Sequence, residues 1–190
     1  MTVSAEEQSS SCYSTRPEVH GNNNTGRVAV LGLGNILLSD EGVGVHAVNA
    51  LKSRFTFYPQ VDIIDGGTMG LDLLPLFQER DRILIIDAVD FNKAPGHVGV
   101  IQGNNIPSVL NAKLSVHHIG LSDVLFSAKL MRDTPPEVCL IGIQPKFLDV
   151  GLDMTEEIQV KLDTLISLAL QKLKEWNIEC VSRSPQKSSP

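Results

Sequence analysis

Three runs of this 190-residue chain are apolar without interruption: VAVLGL (28–33), ILII (83–86) and VCLIGI (138–143). A strand with one wet face alternates apolar and polar residues. A continuous apolar run instead fits a strand covered on both faces, as in a parallel sheet between layers of helix. Two further stretches, Val61–Ile64 and His97–Ile101, also read as strands. Turn signals punctuate the five: Gly66-Gly67 after the second, Pro95-Gly96 before the fourth, Pro135-Pro136 before the fifth. The Pro-Gly connection is short, so the fourth strand is expected to run antiparallel to its neighbour, near a sheet edge.

Helical spacing fills the gaps. Val43, Ala47, Val48, Leu51 and Phe55 share one face, as do Leu71, Leu74 and Phe77, and then Leu121, Leu125, Ala128 and Met131. Thr155 and Glu157 mark the start of a last helix whose face runs through Ile158, Leu162, Leu165, Ile166, Ala169, Leu173 and Trp176. The order β-α-β-α-β-β-α-β-α predicts an α/β three-layer sandwich: a twisted, mostly parallel sheet of about five strands with helices on both faces.

Composition bounds the body and its partners. Residues 1–26 (with AEEQSSS and GNNNTG) and 181–190 (ending SPQKSSP) are too polar to offset their ordering entropy and are expected to be disordered tails around a body at 27–180. Sixteen Lys and Arg against 22 Asp and Glu give a net charge of -6, which disfavours a sequence-independent nucleic-acid binder. No apolar run approaches a membrane span, and residues 1–24 hold no secretory h-region. Cys12, Cys139 and Cys180 are odd in number and form no CxxC, so a reducing, cytoplasmic setting is expected.

Ligands of open α/β sheets bind outside the carboxyl ends of the strands. After the first strand comes GLGNILLSDEGVG with Asp40 and Glu41; after the second, Asp65; after the third, Asp87 and Asp90. His117 and His118 precede the third helix. Two carboxylates and an imidazole suit a divalent transition ion, with positions left open for water or substrate. The plainer alternative is that Glu41 charges a helix start, Asp87 holds a turn and His117 caps a helix. Gly32-x-Gly34 begins like a dinucleotide fingerprint, but Leu37 stands where the third glycine belongs, and Asp40 and Glu41 would repel a pyrophosphate. Neither a GxSxG elbow nor an HExxH is present.

Five segments carry a resemblance: VAVLGLGNILLSDEGVGV (28–45), DGGTMGLDLLPLF (65–77), IIDAVDFNKAPG (85–96), KLSVHHIGLSDVL (113–125) and VCLIGIQP (138–145). In this order they resemble the NiFe-hydrogenase maturation endopeptidases, over essentially the whole body. The resemblance implies an enzyme that removes the C-terminal extension of the nickel-loaded precursor of the hydrogenase large subunit. It implies Glu41, Asp87 and His117 as metal ligands, the Gly120-Leu121 spacing selecting His117 over His118. Nickel would arrive with the precursor, although other divalent ions suit the same ligands. Asp65 or Asp40 would activate a water. No nucleic-acid or membrane partner is expected, and a monomer is. Two alternatives are a non-catalytic metal-sensing chaperone for the large subunit and a nucleotide-dependent oxidoreductase.

Overall fold

The computed structural model describes residues 27–78, 80–106, 116–131 and 135–183, and at 104, 116–120 and 122 the backbone alone. The expected N-terminal tail, and the C-terminal one beyond Arg183, lie outside the described residues. The continuous apolar runs become the centre of a five-stranded sheet. They are β1 (Val28–Leu33), β4 (Arg82–Ala88) and β6 (Glu137–Ile143), flanked by β3 (Asp62–Gly67) and β5 (Val98–Gln102) in the order β3-β1-β4-β6-β5. The first four run parallel, and β5 lies antiparallel against β6 at the edge.

Alternate residues of each central strand feed two cores, the physical reason the runs are apolar throughout. Val28, Val30, Leu84, Ile86, Cys139 and Ile141 face one core. They meet α1 (Val43–Arg54) and the C-terminal helix, which breaks after α4 (Glu156–Gln159) and resumes as α5 (Leu162–Glu175). On the opposite face Leu31, Leu33, Ile83, Ile85 and Leu140 meet α2 (Leu74–Gln78) and α3 (Val116–Leu130). Each fully buried Leu or Ile contributes about 1.5–3 kcal/mol.

Two details depart from the sequence reading. Phe55 does not continue α1: its backbone turns extended, and Phe55–Tyr58 forms β2, paired antiparallel with β7 (Glu179–Ser182). Aromatic and β-branched residues favour a strand once a partner is present, and that partner is more than a hundred residues away. The folded body therefore extends past residue 180 to this ribbon. In the second helical segment the fully buried residues are Leu73 and Phe77, whereas Leu71 is exposed.

The glycines of GLGNILLSDEGVG serve packing. A Cβ on Gly32 would stand 2.2 Å from the carbonyl oxygen of Gly44, and one on Gly44 only 2.1 Å from that of Ile86. Helix α1 thus lies directly on the sheet backbone. At the other end of the sheet, buried Lys172 of α5 reaches Glu137 at 3.1 Å and Glu175 at 3.2 Å, 5.4 Å over the Trp176 ring. Burial pushes the Glu137 carboxyl up, but Trp176, Lys172 and Arg82 beside it outweigh that and hold it below its ordinary range. Burial pushes Lys172 down, and its two carboxylate partners more than reverse this.

Gly44→Ala should lower the unfolding free energy by about 3 kcal/mol, since its Cβ would stand 2.1 Å from the Ile86 and 2.4 Å from the Leu33 carbonyl oxygen, both held in the sheet, as read by urea denaturation. A depressed Glu137 adds stability that is present above the unfolded-state value of about 4.3 and lost as pH falls through the folded-state value. Glu137→Gln should therefore lower Tm at pH 7 and shrink the Tm difference between pH 7 and pH 3. An unchanged difference would assign the acid sensitivity elsewhere.

Candidate active site

The register builds the site. Gly32 of β1 stands level with Asp65 of β3 on one side and Ile86 of β4 on the other. Asp65 and Asp87 therefore flank the end of β1 at nearly the same height. Between Gly32 and Leu33 the β1–β3 register slips by one residue, leaving Gly66 unpaired. A bulge of this kind re-aims the adjoining side chain, here Asp65. Asp65 is exposed, and its Oδ1 accepts a hydrogen bond from Gly67 N at 3.0 Å. Asp87 is fully buried, its Oδ1 accepting from Ala88 N at 2.8 Å.

Glu41 arrives on the short 3-10 turn Ser39–Gly42, which packs against β4, and it is buried. The loop before it folds back so tightly that a Cβ on Gly34 (φ +127°) would meet the Glu41 carbonyl at 1.8 Å. His117 is the second residue of α3. Because six residues separate the end of α3 from the start of β6, the helix runs back along the sheet and its first turn lies toward the carboxyl edge. The His117 side chain lies outside the described residues, as does Ser115. Among the described residues, no three His, Cys, Asp or Glu side chains gather into a metal site.

Asp40 has a different environment from its neighbour. Fully buried, it accepts hydrogen bonds from Lys146 N (3.0 Å), Phe147 N (2.9 Å), Thr155 N (2.7 Å) and Thr155 Oγ1 (3.0 Å). A carboxylate has about four lone-pair sites, so these donors satisfy it. Through these bonds Asp40 ties the Glu41 turn to the 146–155 loop. Ser39, in the left-handed region (φ 49°), extends the tie, its N–H donating to Gly151 O at 2.8 Å and its Oγ to Asp149 O at 3.2 Å. Lys146 also pairs with Glu157, whose carboxyl that hydrogen bond holds below its ordinary range.

Around this edge stand exposed apolar side chains: Ile36 and Leu37 before the turn, Met69 and Leu71 after β3, and Phe147, Val150 and Leu152 on the tied loop. Sequence reading missed all of them but Leu71, which it set on a helix face. Their signal was apolar residues inside loops, in GNILLS and KFLDVGLD, that no strand or helix absorbed. Among the described residues, neither Cys139 nor Ser39 offers a ready nucleophile. Burial pushes the Cys139 thiol up to about 11, and the Ser39 hydroxyl is spent on Asp149. The apolar rim beside the carboxylates suits a protein partner.

Known proteins resemble this chain in sequence and in fold. A family model described as hydrogenase maturation protease (HycI) matches residues 45–172. The hydrogenase 2 maturation protease of Escherichia coli (strain K12) is 35% identical over 158 residues, covering 83% of this chain and 96% of that protein. The hydrogenase expression/formation protein HupD of Bradyrhizobium diazoefficiens is 38% identical over 160 residues, covering 83% of each. The solved structure of the hydrogenase maturating endopeptidase HybD from E. coli superposes with a TM-score of 0.79, covering 83% of this chain and 98% of that one. Fold and sequence together define an α/β peptide hydrolase rather than an oxidoreductase or a non-catalytic chaperone. The chain belongs to the hydrogenase maturation protease family.

Asp40→Asn would set an amide donor against backbone N–H groups, and should lower the unfolding free energy by about 2–3 kcal/mol in urea denaturation. Unaltered stability would show that the carboxylate is not what holds the loop.

Proposed function

We propose that this endopeptidase removes the C-terminal extension of the NiFe-hydrogenase large-subunit precursor and recognises that precursor by the nickel it already carries. The observation that supports the reading best is the pair of buried carboxylates, Glu41 and Asp87, held at one sheet edge where the first turn of α3 brings His117. A metal presented by the substrate meets an O/O/N donor set here, and other divalent ions suit it as well. An empty precursor lacks that attraction and is passed over.

In this reading metal and peptide bond are handled by different groups. Glu41, Asp87 and His117 hold the nickel of the substrate and so set where the chain lies. Asp65, exposed and re-aimed by the bulge at Gly66, takes a proton from the attacking water as general base, the role that would make this an aspartate-dependent protease. Asp40 contributes by holding the Glu41 turn. The apolar rim meets the folded body of the precursor, and the partner is that single protein, bound by a monomeric enzyme in the cytoplasm. No helix among the described residues is long and apolar enough to cross a membrane.

Mixing the enzyme with nickel-loaded and nickel-free precursor and weighing the products should show release of a C-terminal peptide from the loaded form alone. Equal cleavage of both would end the recognition role of the metal. His117→Ala should abolish processing while the unfolding curve stays in place. Asp65→Asn should lower kcat by roughly 10²–10⁴ with KM little changed; a variant with undiminished kcat would move water activation to another group.

A further inference from the structure

Away from the carboxyl edge the structure holds a second feature that the metal reading leaves unused. Among the described residues β3 pairs only with β1, and β2 only with β7, so each presents an open edge. A groove of about 880 Å³ is lined by all four residues of β2 and by Asp62, Ile63 and Ile64 of β3. Open strand edges are templates for an added strand, whose backbone supplies the missing hydrogen bonds and whose alternate side chains fill pockets. The groove also leads to the chemistry, for Ile64 is followed directly by Asp65 and the unpaired Gly66.

Its charge narrows the occupant. The lining holds three cations, Lys52, Arg80 and Arg183, against one carboxylate, Asp62. Arg80 is engaged with that carboxylate at 2.7 Å, and Arg183 Nε donates to Thr56 Oγ1 at 3.1 Å. Lys52 stands exposed at the end of α1. In a chain of net charge -6 this is a local reversal of sign. It favours a strand carrying carboxylates, either acidic side chains or a free C-terminus.

We propose that this groove binds the precursor's C-terminal extension as an extended strand against β3, delivering the scissile bond to Asp65 at the groove's end. The inference rests on the processing function above and adds where the departing peptide lies. It also separates two sources of affinity: the nickel fixes one side of the cut and β3 the other.

The test uses the full chain and a fluorescent synthetic peptide of the extension sequence, with binding read by anisotropy. A second peptide, amidated at its C-terminus, distinguishes a terminal carboxylate from acidic side chains. Wild-type protein should bind the free-acid peptide. Lys52→Glu combined with Arg183→Glu should weaken that binding about tenfold or more. The same double variant should raise KM for nickel-loaded precursor while kcat stays within about twofold. A circular-dichroism melt checks that it folds; should it not, Lys52→Glu alone, at an exposed position, must show a weaker effect of the same sign. His117→Ala should bind the peptide as wild type does while failing to process precursor. Loss of processing by wild-type protein with peptide binding intact would thus overturn the function and leave the groove assignment standing. No peptide binding, as when the chain's own ends fill the groove, or equal binding by wild type and the charge variant, overturns the proposal.

Discussion

The carboxylate of Asp40 is the interaction on which the site depends. Four donors from residues 146, 147 and 155 converge on it, more than a hundred positions downstream in the chain. Charge-assisted hydrogen bonds in a buried place are strong and directional, so two loops that have little regular structure of their own are fixed relative to each other. Glu41 is the next residue, and its position follows from this tie. Thr155, which the sequence marks as a helix start, does begin α4, yet it gives its hydroxyl to Asp40 and not to the helix. The N-terminus of the last helical segment is thereby anchored to the turn that carries a proposed metal ligand.

Burial divides the acidic residues into roles that composition alone leaves undivided. Asp40, Glu41 and Asp87 are sequestered, whereas Asp65 stands at the surface. A sequestered carboxylate suits a fixed task, holding a loop or meeting a metal, while proton transfer to water needs access. The bulge at Gly66 sits beside Asp65, the exposed carboxylate near the end of β3.

Much of this was legible in the sequence because the signals were local and strong. VAVLGL, ILII and VCLIGI showed strands with two buried faces, and each is a central strand. The short connection at Pro95-Gly96 indicated the antiparallel edge strand, and β5 is one. Strand ends located Glu41, Asp65 and Asp87 at one edge. The β2–β7 ribbon was illegible because its strength comes from a partner distant in sequence, so Phe55 read as a continuation of α1. The role of Asp40 was hidden for the same reason: its donors are backbone amides, which carry no mark in a sequence. Gly32-x-Gly34 resembles the start of a nucleotide fingerprint, which Leu37 and the Asp40–Glu41 pair already count against in the sequence; the structure adds that Gly32 and Gly34 stand where the chain packs backbone against backbone.

The apolar rim has a colloidal consequence. Seven large apolar side chains around one edge make a surface that could bind its own copies as readily as a partner. A net charge of -6 supplies mutual repulsion between molecules in dilute solution, leaving the rim free for a substrate able to offset that repulsion. The acidic excess then acts as a dispersing agent. At a pH near the sequence isoelectric point of about 5.3 that repulsion is weakest, and the rim is left to apolar contact alone.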